Sequence, residues 1–283
     1  MAWLKSWAEW IEADTAHLSV PFTWLLPRVG MRASAFRQQG LRVRAGGPAV
    51  TLCPDRLPDF VEIGGEIPAL GHHNPDATFT SRGCIRQCAF CAVPRIEGGL
   101  VELAEWEPKP IVCDNNLLAC SRRHFDRVID CLKSLKGVDF NQGLDARLLT
   151  SYHAGRLAEL DLAVARLSWD RMEDESHVMG ALGLLREAGF PKRRTRAYVL
   201  IGYDDSPADA LYRLETLRGY GVRPFAQRYQ PLTTDKKDSY VSPGWTQGEL
   251  RAFSRYWTQL RRFEHIPFVE FRHWGLQRAA LAR

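Results

Sequence analysis

The chain has 283 residues, of which 45% are hydrophobic and 25% charged, the composition of an ordinary globular protein: one large domain, or one domain with appendages. No apolar run is long enough for a helix to span a bilayer, so no membrane partner is expected. The net charge of +5 is mildly basic; it permits a nucleic-acid partner without demanding one.

Met1 to Trp10 predicts an amphipathic helix, with Trp3, Leu4, Trp7 and Trp10 on one face, and it does not have the pattern of a secretory leader. His17 to Trp24 predicts a strand, Arg28 to Gln39 a helix and Leu41 to Ala45 a second strand. Together they make one βαβ unit, followed by Gly46-Gly47-Pro48, which is read as a turn. Residues 1–76 are expected to form an N-terminal α/β extension.

From Ala77 the pattern alternates between strand and helix. Strands are predicted at Thr78 to Arg82, Pro110 to Asn115, Val138 to Gln142, Ala163 to Ser168, Arg196 to Ile201 and Arg223 to Tyr229. Helices are predicted at Arg123 to Lys136, Leu149 to Leu160 and Glu173 to Ala188. A further helix is capped by Ser206, with Pro207 at N1 and Asp209 at N3. Six strand–helix units in a row predict an α/β fold with a parallel sheet and helices outside, fewer units than the eight of a closed barrel. Residues 77–230 form this core. Residues 231–283 form a basic, aromatic tail built on a predicted helix from Gly248 to His265, with seven arginines against two glutamates from Leu250 onward.

The run Gly83-Cys84-Ile85-Arg86-Gln87-Cys88-Ala89-Phe90-Cys91 places three of the seven cysteines at C-x3-C-x2-C. Thiolates this close on one loop can converge on an iron–sulfur cluster. Three thiolates leave one iron of a [4Fe–4S] cluster open, and an open metal position is where a ligand or substrate binds. A disulfide framework is disfavoured by the odd cysteine count and the missing leader, and a cytoplasmic, reducing location is expected. Zinc is the alternative metal and would need a fourth ligand, for which His72 and His73 are candidates.

The motif C-x3-C-x-aromatic-C, with Phe90 in the aromatic slot, resembles the radical S-adenosylmethionine (radical SAM) enzymes. The longer run Cys88-Ala89-Phe90-Cys91-Ala92-Val93-Pro94-Arg95 is most similar to the methylthiotransferase and cobalamin-dependent branch. The resemblance implies a partial (β/α)6 barrel and a [4Fe–4S] cluster held by Cys84, Cys88 and Cys91. It implies that S-adenosylmethionine chelates the open iron, and that an external donor of flavodoxin or ferredoxin type delivers one electron. Reductive cleavage then yields a 5′-deoxyadenosyl radical. The N-terminal extension resembles a shortened flavodoxin-like domain. Without the D-x-H-x-x-G signature it is read as a degenerate remnant rather than a cobalamin site.

Ligands of a parallel barrel sit at the C-terminal ends of the strands. Here those ends carry Asp114-Asn115-Asn116, Asn141-Gln142-Gly143, Ser168-Trp169-Asp170 and Gly202-Tyr203-Asp204-Asp205. For any one of them, a helix cap or a turn is an equally good reading. The resemblance gives Asp114, Asn115 and Asn116 to the methionine amino group and Arg166 or Ser168 to the ribose and carboxylate. It gives Ile201, Gly202 and the backbone of Phe90 to the adenine, and Gln142 joins the same S-adenosylmethionine set. The common Gly-Gly-Glu form after the second strand is absent.

Cys113 and Cys131 are expected to be core residues, Cys131 on the apolar side of its helix, while Cys53 and Cys120 are open. An auxiliary cluster from these four lacks compact spacing. Three functions remain: a radical enzyme acting on nucleic acid, one acting on a small molecule or peptide, and a non-catalytic iron–sulfur protein. The basic tail, with Arg251, Arg255, Arg261 and Arg262, supports the first. The three-cysteine N-terminal domain of methylthiotransferases and their C-terminal RNA-binding barrel are missing, which speaks against methylthiolation. Under the second reading Trp257 and Phe263 are core packing, and the tail closes the open side of the barrel. Lys192-Arg193-Arg194 and Arg196 are the densest basic cluster. They precede the fifth strand, on the face away from the expected site, and are read as a solvated surface.

Overall fold

The computed structural model describes residues 3–4, 6–64 and 69–272. The chain divides into two compact units, residues 1–115 with 230–238, and residues 116–229 with 239–283. Both mix strands and helices.

The first unit opens with β1 (Ala8–Glu12), β2 (Thr15–Ser19), α1 (Leu26–Gln38), β3 (Arg42–Gly46), α2 (Pro48–Leu52) and β4 (Glu62–Ile63). The sheet runs in the order β1-β2-β3-β4. β2 and β3 are parallel, with Thr15 opposite Arg42, and α1 connects them, so the predicted βαβ unit is present. All five residues of β2 are buried. Ala16 and Leu18 of β2 and Val43 and Ala45 of β3 share one apolar core with Leu26, Val29, Ala33 and Phe36 of α1. Those helix positions recur every three to four residues, the stripe a helix buries against a sheet.

The predicted N-terminal helix is corrected. Residues 8–12 are a strand, paired antiparallel to β2 along its full length from Ala8–Ser19 to Glu12–Thr15. Met1, Ala2 and Lys5 lie outside the described residues. The Trp spacing fits a helix, but Ala13 adopts the left-handed conformation (φ 53°) and folds the segment back onto the edge of β2. The next strand stops at Ser19 instead of Trp24. Pro21 has no amide to give a ladder, and Thr23–Leu25 forms a 3-10 turn.

The unit continues with α3 (Leu70–His73), β5 (Ala77–Thr78), β6 (Ser81–Arg82), α4 (Val93–Ile96), β7 (Val101–Glu102) and β8 (Ile111–Val112). β5 is parallel to β8 and β6 antiparallel to β7, so the single strand expected over Thr78 to Arg82 is two. Residues 230–238 return to this unit. The Thr23 hydroxyl donates to the Thr234 carbonyl (2.6 Å), Arg56 donates to the Thr233 carbonyl (2.8 Å), and Gln230 and Asp238 close the segment with two hydrogen bonds.

The second unit contains α5 (Arg122–Leu132), β9 (Val138–Phe140), α6 (Ser151–Leu157), β10 (Leu162–Ser168), α7 (Glu175–Glu187), β11 (Thr195–Ile201), α8 (Pro207–Gly219), β12 (Arg223–Arg228), α9 (Gln247–Thr258) and α10 (Leu260–Phe263). The order β9-β10-β11-β12 is parallel throughout, each strand joined to the next through a helix. The Ser206 cap forms as expected, with reciprocal bonds between Ser206 and Asp209 and Pro207 at the helix start.

Two expectations change here. Cys131 is exposed, because the buried stripe of α5 is Phe125, Val128, Ile129 and Leu132. The tail helix is two helices, α9 and α10, that break at Gln259. The Thr258 hydroxyl donates to the Ser254 carbonyl (2.6 Å) just before the break and competes with the helical ladder. Phe253, Tyr256 and Trp257 of α9 are fully buried, so these aromatics are core. Among the described residues no helix is long and apolar enough to cross a membrane.

Burial holds the half-buried imidazoles of His73 and His153 below the ordinary histidine range; it is the largest cause in each. The folded chain therefore binds fewer protons there than the unfolded chain. That contribution to stability is complete above the unfolded value of about 6.5 and is lost as pH falls below it. The denaturant midpoint is expected to drop between neutral and mildly acidic pH, and to drop less in a His73→Gln/His153→Gln variant. An equal drop in both proteins would refute this origin.

Candidate functional site

The short strand β6 delivers the chain into the cysteine loop at Gly83. Gly83 has φ +71°, and a Cβ there would sit 2.0 Å from the Gly99 carbonyl oxygen. Only glycine combines a left-handed backbone with so close an approach. Two bonds fix the loop start: the Gly83 amide donates to Glu97 Oε2 (2.7 Å) and the Cys84 amide donates to the Gly98 carbonyl (3.2 Å). Within the loop, the Arg86 amide donates to Cys84 Sγ (3.3 Å) and the Cys91 amide to the Cys88 carbonyl (2.9 Å). Cys84, Cys88 and Cys91 are each half-buried, and Phe90 between them is half-buried as well.

Sequence reasoning missed Glu97. Its Oε2 also accepts from Asn115 Nδ2 (2.8 Å), and its Oε1 pairs with Arg82 (3.0 Å). The carboxylate therefore ties together the loop entry, the strand before it and the segment after β8. Its side chain is only 11% exposed, which strengthens these charge-assisted bonds. No spacing rule pointed to it, because its partners lie at 82, 83 and 115.

Asp114 is a brace. It is buried and accepts from the Thr80 amide (2.6 Å), the Thr80 hydroxyl and the Ser81 hydroxyl (2.8 Å). A carboxylate has about four acceptor sites, and three are used here, which leaves about one for the methionine amino group expected at Asp114. These bonds also explain the interruption between β5 and β6, since Thr80 bonds to a side chain instead of a ladder. Asp114 and Asn115 share the first unit with the cysteines and Phe90.

The other expected residues lie in the second unit. Asn116 is buried and donates to Asp145 (3.2 Å), which is paired with Arg147 (2.8 Å). Gln142 is exposed in the turn after β9. Arg166 is committed to its neighbours. Its guanidinium grips Asp139 through two bonds (2.6 and 2.5 Å) and donates to the Tyr198 hydroxyl (2.6 Å), so three of its five N–H donors are already committed. Ser168 is exposed at the end of β10, and its hydroxyl bonds to Asp170, whose buried carboxyl desolvation pushes upward. Ile201 is fully buried. Gly202 (φ +73°) is covered by Leu250 of α9, whose Cδ2 would lie 2.6 Å from a Cβ at this position. Packing against α9 already gives a reason for this glycine, beside the close approach of an adenine expected for Ile201 and Gly202.

A second buried cluster follows β11. Arg213 of α8 is fully buried, pairs with Asp205 and donates to the carbonyls of Trp169 (2.9 Å) and Asp170 (2.8 Å). Asp205 also accepts from the Gly202 amide (2.8 Å) and from Trp245 Nε1 (3.1 Å). Burial raises the Asp205 carboxyl and Arg213 opposes the rise.

The donor types of the cysteine loop fit an iron–sulfur cluster. Three soft sulfur ligands lie within eight residues, partly accessible, and one sulfur already accepts a backbone amide of the kind that tunes such clusters. Among the described residues no three Cys, His, Asp or Glu side chains are gathered as a set that would hold a metal ion. Holding a cluster therefore requires the three thiols to draw together. The zinc alternative has less behind it, since His72 stacks on Trp10 (3.9 Å) and His73 contacts the Ser19 hydroxyl (3.0 Å). Of the remaining cysteines, Cys53 and Cys113 are buried, Cys120 is half-buried and Cys131 is exposed. Comparison with protein-family models and with curated proteins finds no match to this chain.

Proposed function

We propose that this chain is a radical SAM enzyme whose [4Fe–4S] cluster is held by Cys84, Cys88 and Cys91. The supporting observation is the loop itself. Its entry is fixed by a required glycine and by Glu97, while its three thiols stay partly accessible. When bound, the cluster would supply the electron that cleaves S-adenosylmethionine to a 5′-deoxyadenosyl radical. The chain's own residues do the rest. The three thiolates bind, the Arg86 amide stabilises negative charge on Cys84, and Glu97 and Asp114 hold the strand ends from which the loop departs. The reading also includes an external one-electron donor, a cytoplasmic location and a partial (β/α)6 barrel built from the parallel strands. Its substrate is a nucleic acid, a small molecule or a peptide.

Anaerobic reconstitution tests this directly. About four irons per chain are expected, and dithionite with S-adenosylmethionine should yield 5′-deoxyadenosine by chromatography. Iron without product would reduce the protein to an iron–sulfur binder, and no iron would overturn the proposal.

Glu97 gives a separate check. Glu97→Ala removes acceptors from Gly83 and Asn115, and chelator-driven iron release is expected to speed up by about tenfold or more. Glu97→Gln keeps an acceptor and should release iron nearly as the parent does. Equal rates in all three proteins would show that Glu97 does not position the loop.

A further inference from the structure

The second unit gathers two basic segments that lie far apart in sequence. Arg196 is the second residue of β11 and Arg223 the first of β12, and they are direct partners in the parallel register. Burial and then the guanidinium groups of Arg196 and Arg261 depress the Arg223 side chain, with Glu264 acting weakly the other way. Arg261 of α10 is thus within electrostatic reach of Arg223. Lys192 lies over the turn before β12, where a Cβ on Gly221 would meet its Cδ at 2.8 Å, and its ammonium sits 5.1 Å from the Tyr220 ring centroid. Arg193 and Arg194 are exposed beside it.

Several arginines elsewhere are neutralised. Arg156 meets Asp126, Asp130 and Glu159, Arg166 meets Asp139, and Arg213 meets Asp205. Here, among the described residues, the one ion pair is the long contact of Arg194 with Asp161 (3.9 Å), and Glu264 offsets Arg223 only in part. Like charges held together with so few counter-charges repel one another, and a bound polyanion relieves that repulsion.

We propose that Lys192, Arg193, Arg194, Arg196, Arg223 and Arg261 form a docking surface for the phosphate backbone of a nucleic acid. A lipid surface fits less well. Membrane-docking surfaces bury apolar side chains, and no large apolar residue is exposed in residues 186–196, 220–223 or 260–263. Tyr220, held under Lys192 and Arg186, adds a ring of the sort on which bases stack. The surface lies at the N-terminal ends of β11 and β12. At roughly 3.3 Å per residue, the length of β11 separates it from Gly202 by roughly 20 Å. It is an anchoring surface, apart from any chemistry at the other strand ends.

The test uses the full chain without a cluster, so its outcome is independent of the radical SAM reading. Fluorescence anisotropy follows binding to labelled single-stranded RNA, duplex DNA and phosphatidylserine vesicles over a range of salt. The wild type is expected to bind at least one nucleic acid with a steep salt dependence. An Arg196→Gln/Arg223→Gln/Arg261→Gln variant should bind at least about tenfold more weakly at low salt, and its log–log salt slope should be shallower by about 2.7 on duplex DNA or about 2.1 on single-stranded RNA, about 0.9 or about 0.7 for each lost phosphate contact. If that variant fails to fold, Lys192→Glu/Arg193→Glu, at exposed positions, should weaken binding in the same direction. No nucleic-acid binding at low salt, binding to vesicles alone, or an unchanged slope in the variants would overturn the proposal.

Discussion

Replacing Cys84, Cys88 or Cys91 singly by alanine is expected to abolish 5′-deoxyadenosine formation and to reduce bound iron from about four per chain to below about one. Under the proposed reading each thiolate would be one of three protein ligands, and a cluster would not close on two. The fold should survive. All three cysteines are half-buried on a loop whose entry is fixed by backbone and Glu97 bonds rather than by sulfur. Such positions usually shift stability by no more than about 0.5 kcal/mol. The thermal midpoint of the cluster-free protein is therefore expected to stay near that of the parent. Cys131→Ala, on the exposed side of α5, is the control and should change neither iron nor product. Product formation by any of the three loop variants would show that the loop does not hold the cluster.

Arg213→Ala is expected to have the largest effect on folding. Arg213 is fully buried, and its removal leaves Asp205, itself 6% exposed, without a counter-charge and two carbonyls without a donor. Breaking one side of a buried pair costs about 3–5 kcal/mol, which denaturant unfolding would read as a lowered midpoint. The loss should depend on pH. Burial already raises the Asp205 carboxyl, and without Arg213 only the hydrogen bonds from Gly202, Trp245 and Tyr203 oppose it. A carboxyl raised above its unfolded value of about 3.9 favours folding at low pH, and that stability is lost as pH rises through the folded value. The deficit of Arg213→Ala relative to the parent should therefore shrink on acidification. It should also shrink in Arg213→Ala/Asp205→Asn, which removes the stranded charge. A deficit that is independent of pH would place the cost in lost packing instead.

Features governed by local chemistry were legible in the sequence. The Ser206-Pro207 helix start and the strands of the βαβ unit and of β10 to β12 follow from caps and periods a few residues long. Features decided by distant partners were not. Trp3, Leu4, Trp7 and Trp10 have helical spacing, yet pairing with β2 made a strand of residues 8–12. Cys131 could have been placed correctly, because it falls outside the i, i+3, i+4, i+7 stripe from Phe125 to Leu132. For the site, the cysteine loop was evident, but the occupants of the polar strand ends were not. Arg166 is taken by Asp139 and Tyr198, and Asp114 by Thr80 and Ser81. Polar residues at strand ends invite a ligand reading, whereas here several of them satisfy one another.

The nine-residue return of 230–238 to the first unit has a practical consequence for anyone dividing this protein. No single break in the gene separates the two units, because the polypeptide passes between them three times. A fragment ending at Asn115 would lack the carbonyls of Thr233 and Thr234 that Arg56 and Thr23 bond to. A faithful first unit would need residues 230–238 grafted on through a new linker. A second unit made alone would need Tyr229 rejoined to Ser239 across the gap.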